Sequence, residues 1–254
     1  MEVMIDSKKC VGCGACAKDC VAHNIKIQNH KAQIISNDCI MCGHCVAVCP
    51  KNAVTITGCE EVPVEQTKTV QLNPDEVLDV IRFRRSVRQF QDRKVPEQVV
   101  TQILEAGRLT HTAKNAQDVS FIVVDKTKDE IQEDAVKIFR AAQKIGGLFS
   151  PMVRRNKINK DFFFFQAPLV IVITAKSQID ASLAAQNMEF VAEANGLGVL
   201  YSGFFTMAAQ MSHKIKKTLG IKKNEKIQMT LVMGYPKVRY WRSAPREKLS
   251  VRYK

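Results

Sequence analysis

The 254-residue sequence has no apolar stretch approaching the roughly 20 residues that a helix needs to cross a bilayer. Its longest apolar run, Leu169 to Thr174, is typical of a buried strand. The opening residues, MEVMIDSKKC, lack the apolar core of a secretory signal. We therefore expect a cytoplasmic protein with no membrane partner.

Acidic residues are scarce relative to basic ones, and the formal net charge is +13, of which residues 61–254 contribute +12. Such an excess can indicate nucleic-acid binding, but no nucleic-acid-binding motif accompanies it, so we expect no nucleic-acid partner. Anion-binding arginines and a solvated basic face are the simpler interpretation. The same applies to the basic stretch from Lys214 to Lys226, for which docking of an acidic electron donor is the alternative.

A dinucleotide-binding fingerprint is also missing. Gly196 and Gly198 have the right spacing for its first two glycines, but the third glycine and the preceding strand are absent. The sequence therefore gives little support for a nicotinamide cofactor bound in this way.

Cysteine, in contrast, is concentrated: eight of the nine cysteines lie in two runs, at 10–20 and 39–49, and only Cys59 lies outside them. Each run reads C-x2-C-x2-C-x3-C, a spacing typical of ligation of cubane iron–sulfur clusters. Without a secretory signal, this pattern favours metal ligation over disulfides. Two zinc sites are the alternative that eight thiolates leave open.

The two runs form an internal repeat of about 29 residues, in which Cys10 aligns with Cys39. Residues 1–60 therefore resemble a bacterial ferredoxin with two [4Fe-4S] clusters. In that topology the fourth cysteine of each run ligates the other cluster. The resemblance implies one set of Cys10, Cys13, Cys16 and Cys49 and a second set of Cys20, Cys39, Cys42 and Cys45.

Residues 61–74 contain prolines and charges without helical periodicity, which predicts a linker. A helix is expected to begin at Asn73-Pro74, because an N-cap residue and an N-terminal proline stand together there. The segment R-R-S-V-R-Q-F, from Arg84 to Phe90, follows this helix. Its three arginines around a serine suit a phosphate, although basic residues at a helix end are as often simply solvated.

The remaining elements appear in a characteristic order. A helix is predicted at 96–110, then a polar loop at 111–117, strands near 120–124 and 166–173, a long helix at 180–196 and a strand at 229–236. With the arginine segment, this order resembles the FMN-dependent nitroreductase family over residues 75–254. The whole chain looks like a ferredoxin–nitroreductase fusion.

The resemblance implies an α+β fold, in which the ferredoxin-like domain precedes an α/β/α domain with a central, mainly antiparallel sheet. It also implies an intertwined homodimer with FMN at the interface. The residues that it assigns to FMN lie in four segments: Arg84, Arg85, Ser86 and Arg88; Thr112, Ala113, Asn115 and Gln117; Tyr201, Ser202 and Gly203; and Arg242 with Arg246.

These cofactors predict an oxidoreductase in which FMN, rather than a catalytic side chain, carries the reaction. We expect electrons to enter through the clusters, from a ferredoxin or NAD(P)H, and to reduce a nitro- or other electron-poor aromatic compound. Quinones, activated alkenes and halogenated rings are alternative substrates, and a non-catalytic electron-transfer or redox-sensing flavoprotein is a third possibility. Phe162–Phe165 are expected to pack in the core or dimer interface, with an aromatic substrate site as the alternative.

Overall fold

The computed structural model describes residues 1–146 and 150–254. The chain divides into two compact units. The first comprises Met1–Gln71 together with the short segment Thr112–Ala116, and the second comprises Leu72–His111 and Gln117–Lys254. No helix within the described residues is both long and apolar enough to cross a membrane.

The first unit contains two antiparallel strand pairs and two single-turn helices. Its elements are β1 (Glu2–Ile5), α1 (Ala15–Lys18), β2 (Ile25–Gln28), β3 (Lys31–Ile34), α2 (His44–Ala47) and β4 (Val54–Thr57). Strand β1 pairs with β4, and β2 pairs with β3. Asn29 and His30 join β2 to β3 with φ of 49° and 59°, as a two-residue type I′ hairpin requires.

The two helices of this unit begin in the same way. Gly14 precedes α1 with φ of 80°, and Gly43 precedes α2 with φ of 75°. These glycines lie 29 residues apart, which is the period of the cysteine repeat. The backbone therefore repeats along with the cysteines.

The second unit is built on a four-stranded antiparallel sheet. Its elements are α3 (Pro74–Phe83), α4 (Glu97–Arg108), β5 (Ser120–Val124), α5 (Lys128–Gly146), α6 (Pro151–Arg155), β6 (Leu169–Thr174), α7 (Gln178–Ala194), β7 (Gly198–Tyr201), α8 (Gly203–Met211), α9 (His213–Thr218) and β8 (Ile227–Gly234). The strand order is β5-β6-β8-β7. The predicted antiparallel sheet is thus confirmed.

Helices cover both faces of this sheet. Strand β6 is buried throughout, with Val170 and Val172 packed on one side and Ile171 and Ile173 on the other. Helices α5, α8 and α9 supply the first core, and α4 and α7 the second. A strand buried on both faces is apolar at every position, which explains the unbroken apolar run in the sequence. The α/β/α architecture is confirmed.

The four phenylalanines contribute to the first of these cores. Phe163 and Phe164 are 1% and 0% exposed, and Phe163 packs edge-on against Phe139 of α5 at 5.0 Å. Phe162 is only partly buried and stacks on Phe204 at 6.3 Å between ring centroids. Core packing is therefore confirmed for Phe163 and Phe164.

In the basic stretch, Lys214 is not merely solvated. Its Nζ lies 2.8 Å from Oδ2 of Asp134, which links α9 to α5.

Gly12 is the tightest backbone position in the first unit. Its φ is +68°, and a Cβ atom added there would lie 2.1 Å from the carbonyl oxygen of His30. Only glycine fits, since both the dihedral and the space exclude a side chain.

We predict that Gly12→Ala destabilises the first unit by roughly 2–5 kcal/mol, because overpacking adds to the cost of a left-handed φ. Chemical denaturation followed by circular dichroism, with iron analysis per chain, measures the effect. Gly43→Asn is the matched control, since no atom lies within 4 Å of a Cβ there and asparagine tolerates this φ. Wild-type stability and iron content in Gly12→Ala would contradict the prediction.

Candidate functional site

The first unit contains two cavities that are each lined by four cysteines. One is lined by Cys10, Cys13, Cys16 and Cys49. The other is lined by Cys20, Cys39, Cys42 and Cys45. The fold thus separates the eight thiols into the same two sets that the ferredoxin resemblance implies.

Backbone amides point at the sulfurs in both cavities. The N–H of Ala32 donates to Sγ of Cys10 at 3.4 Å, and that of Ala53 donates to Cys49 at 3.3 Å. In the second cavity Asn24 donates to Cys20 and Met41 to Cys39, both at 3.4 Å. Such bonds favour thiolates and tune the reduction potential of a cluster.

The protein environment shifts the pKa of individual thiols in different directions. The amide of Ala32, with that of Gly12, lowers the pKa of Cys10. Burial raises the pKa of Cys16 and of Cys45. The thiols are therefore not equivalent before a metal is bound.

The donor set fits iron–sulfur clusters better than zinc. A zinc ion needs its ligands at about 2.0–2.3 Å from one point. Among residues 1–146 and 150–254, no group of three His, Cys, Asp or Glu side chains converges in that way. Four thiols around each cavity suit a cluster, which keeps its ligands farther apart than a single ion does.

Segment 112–116, which the resemblance assigns to FMN, belongs to the first unit. The side-chain amide of Asn115 donates to the carbonyl oxygen of Met41 at 2.8 Å, between Cys39 and Cys42. Lys114, Asn115 and the neighbouring Gln117 all have positive φ, between 47° and 55°. Such a concentration of left-handed, non-glycine backbone is typical of functional loops.

In the second unit, the arginine segment is fixed against strand β7. The N–H of Val87 donates to the carbonyl of Val199 at 3.1 Å, and Ser86 bridges to the same residue. A Cβ atom at Gly198 would lie 2.3 Å from Cγ2 of Val87, so glycine permits this close approach. The segment therefore lies beside the strand that leads to Tyr201.

A buried carboxylate joins these two parts of the site. Glu189, on α7, is 2% exposed. Its Oε1 accepts from Nη1 of Arg84 at 2.8 Å, and its Oε2 accepts from the hydroxyl of Tyr201 at 3.1 Å and from the amide of Gln186 at 2.9 Å. Arg84 thus has its charge balanced inside the protein, whereas Arg88 is exposed.

The same network perturbs the pKa of two neighbouring groups. Burial, together with the charge of Glu189, raises the pKa of Glu193 to about 7, against the opposing effect of Arg84. Burial and the Glu189 carboxylate also raise the pKa of Tyr201 above its ordinary value. The network therefore holds a carboxyl group that titrates near neutrality.

Neither Glu189 nor Glu193 is among the site residues that the sequence predicts. The available signal was the stripe of small and apolar residues that includes Ala181, Ala185, Met188 and Ala192. Glu189 lies four residues after Ala185 on that stripe. A carboxylate at such a position needs a cationic or hydrogen-bonding partner.

Tyr201, Ser202 and Gly203 lie where β7 ends and α8 begins. The hydroxyl of Ser202 donates to the carbonyl of Phe163 at 3.1 Å and does not cap α8. The first N–H groups of a helix point outward and favour a negatively charged or accepting partner. This end of α8 can therefore offer amide donors to a ligand.

The C-terminal segment also reaches the arginine segment. The hydroxyl of Tyr240 donates to the carbonyl of Ser86 at 3.4 Å. Arg242 and Arg246 follow, and both are exposed. Arg242 lies two residues beyond this anchor and Arg246 six, so the shorter connection favours Arg242 as a neighbour of Ser86.

These residues fit an FMN molecule. Nε of Arg84 is buried with no hydrogen-bond partner within the described part of the chain, and an acceptor on a ligand would satisfy it. Arg85 and Arg88 provide two further positive charges, which match the roughly two negative charges of a phosphate.

Comparison with protein families assigns both parts of the chain. Residues 81–235 match the Nitroreductase family, and residues 2–50 match the 4Fe-4S dicluster domain. The first match alone spans more than half of the chain.

Individual proteins agree with this assignment. A protein of Methanothermobacter thermautotrophicus named NADH dehydrogenase/NAD(P)H nitroreductase is 26% identical over 170 residues, which cover 63% of this chain and 78% of that protein. A nitroreductase with bound FMN from Desulfitobacterium hafniense is similar in structure, with a TM-score of 0.58 and 18% identity, covering 72% of this chain and 100% of that one. An iodotyrosine deiodinase bound to FMN and 3-iodo-L-tyrosine is also similar in structure, with a TM-score of 0.56 and 18% identity. The match covers 70% of this chain and 98% of that one. At this identity the two structures show the fold alone.

The raised pKa of Glu193 predicts a pH-dependent stability. Because its pKa rises from 4.5 to about 7 on folding, the native state binds more protons between these values, and the wild-type protein loses stability as pH rises through them. Glu193→Gln removes this loss. Urea denaturation between about pH 5 and 7 should therefore show the variant gaining stability relative to wild type as pH rises.

The control for this series is Glu133→Gln, which removes an exposed glutamate from α5. The prediction fails if the free-energy difference between Glu193→Gln and wild type is the same at every pH.

Proposed function

Because the chain belongs to the nitroreductase family and carries a 4Fe-4S dicluster domain, we propose that this oxidoreductase reduces its substrate with an FMN that receives electrons through two [4Fe-4S] clusters. The observation that carries the proposal is the presence, in one chain, of two four-thiol cavities and an arginine–serine segment suited to FMN phosphate. Clusters pass electrons one at a time, and bound FMN collects two for hydride chemistry.

The protein's own contribution is to hold and orient the cofactors. Arg85 and Arg88 bind the FMN phosphate, Ser86 adds a hydroxyl, and Arg242 approaches from the C-terminal segment. Because Glu189 balances the charge of Arg84, Arg84 does not neutralise the phosphate. It orients the FMN instead, by donating a hydrogen bond from its unpartnered Nε. The N-terminal end of α8, at Gly203, offers backbone donors to the flavin ring.

Thr112, Ala113, Asn115 and Gln117 complete the proposed FMN site from a second subunit, as the family resemblance implies. Apolar side chains on α3 support such a dimer, since Leu78, Ile81 and Phe83 are 53%, 42% and 46% exposed. Exposed apolar groups on one helix are typical of a surface that packs against another chain.

We propose that electrons enter through the clusters because the sequence lacks a dinucleotide-binding fingerprint. NAD(P)H is the rival donor, because a relative bears the name NAD(P)H nitroreductase. For the substrate we propose a nitro- or other electron-poor aromatic compound. A halogenated ring, one of the alternatives that the sequence leaves open, is the second candidate, and the deiodinase of the same fold has 3-iodo-L-tyrosine bound.

Removing the phosphate-binding charges should release FMN. We predict that Arg85→Ala and Arg88→Ala each raise the FMN dissociation constant roughly tenfold to hundredfold, because each removes a charged hydrogen bond. Flavin fluorescence during dilution measures this constant. Arg82→Ala, which removes an exposed arginine paired with Asp79, is the control. Unchanged FMN affinity in both variants would refute the assignment.

A single-turnover experiment tests the proposed reaction. The anaerobically purified protein is photoreduced and mixed with a nitroaromatic compound, an iodinated phenol or buffer. We expect flavin oxidation to be fastest with the nitroaromatic compound. If neither compound oxidises the flavin faster than buffer does, the protein is not a reductase of aromatic substrates.

A further inference from the structure

Electrons that arrive through iron–sulfur clusters bring no protons, unlike those of a hydride donor. A hydride consists of two electrons and one proton, so a flavin that is reduced through clusters must obtain that proton from elsewhere. This requirement follows if the proposed function is correct. The proton must then reach the FMN site through exchangeable groups that connect it to the solvent.

The second unit contains such a connection. Glu193 is partly exposed on α7, and the buried Glu189 lies one helical turn before it on the same helix. Helix positions four residues apart have Cβ atoms roughly 5–6 Å from each other. Glu189 is buried and bonds to the hydroxyl of Tyr201 at 3.1 Å. Tyr201 in turn stands directly before the α8 terminus that is proposed to face the flavin.

The surroundings of this connection are well defined. The charged groups that act on Glu193 are Glu189, from its own helix, and Arg84, from the segment after α3. Helix α4, which also packs on α7, contributes the neutral amide of Gln102, bonded to Asn195 at 3.3 Å. Strand β7 contributes Tyr201. The carboxylate of Glu189 and the guanidinium of Arg84 thus act on Glu193 in opposite directions, and the carboxylate has the larger effect.

We propose that Glu193, Glu189 and Tyr201 form a proton path that supplies one proton for each pair of electrons delivered by the clusters. Glu193 passes its proton to the carboxylate of Glu189, and Glu189 passes it to Tyr201 as the Tyr201 hydroxyl turns and releases its own proton toward the FMN site. Water then reprotonates Glu193, and Glu189 and Tyr201 return to their ionised and neutral resting forms. Electrons and proton together make up one hydride, so the charge balances without a further reactant.

Two features suit these residues to the task. Glu193 titrates at about 7, so near neutrality it both binds and releases a proton readily. Arg84 and Gln186 hold the carboxylate of Glu189 in place, so the bond to Tyr201 keeps one geometry. Gln186 and Arg84 are positioning residues in this scheme.

The test is the rate of flavin reduction after photoreduction of the clusters in the holoprotein, measured across a pH series. In wild type the rate should fall as pH rises through about 7, where Glu193 loses its proton. Glu193→Gln should be about 100-fold slower at pH 6 and independent of pH, as should Tyr201→Phe. Glu193→Asp should restore the pH dependence, and Glu133→Gln should match wild type.

A second readout does not depend on turnover. Infrared difference spectra of the oxidised protein during pH titration should contain a protonated-carboxyl band that disappears near pH 7 and is missing in Glu193→Gln. A wild-type pH profile in Glu193→Gln, or an unchanged infrared band, would overturn the path. If the clusters fail to reduce the flavin even in wild type, the proposed function itself is wrong, so the two failures are distinguishable.

Discussion

The buried carboxylate of Glu189 is the constraint on which the second unit's site depends. Three separate segments meet on it: the arginine segment through Arg84, the end of β7 through Tyr201, and α7 itself. A buried charge is tolerated only with its partners in place, and removing one partner of such a pair typically costs about 3–5 kcal/mol. The position of Arg84 is therefore tied to that of Tyr201, and the site is held from inside the fold.

The first unit obtains its geometry differently, from the backbone. Gly14 and Gly43 turn the chain before two short helices, and Gly12 passes against the carbonyl of His30 where a side chain would not fit. These turns bring amides to within about 3.4 Å of the sulfurs of Cys10 and Cys39. Electron transfer needs ligands that move little, and a scaffold of turns and two strand pairs provides them.

The cysteine ligand sets and the start of α3 could be predicted from the sequence, because each depends on residues that lie close together in the chain or on a regular spacing. The spacing of the cysteines indicates cubane clusters, the ferredoxin resemblance implies two ligand sets, and the same sets line the two cavities. The Asn73 cap is also present, since its side chain accepts from the N–H of Asp75 at 3.0 Å. Helix α5 is not among the predicted elements, although its buried residues Ile131, Ala135 and Val136 have helical spacing.

The Glu189 network could not be predicted, since it joins residues more than 100 positions apart along the chain. The left-handed backbone of Lys114 and Gln117 is likewise imposed by tertiary structure, because neither residue favours it locally. The sequence therefore indicates which cofactors to expect, and the structure adds how charge is distributed around them.

The most direct test of the account concerns the electron inlet. Reduced ferredoxin is mixed anaerobically with the wild-type protein and with Cys42→Ser, which removes one thiol from the second cavity and changes no residue that is assigned to FMN. The account predicts that the clusters bleach before the flavin in wild type, and that Cys42→Ser retains FMN but loses its rapid reduction. Equally fast flavin reduction in both proteins would contradict the claim that electrons reach the flavin through the clusters.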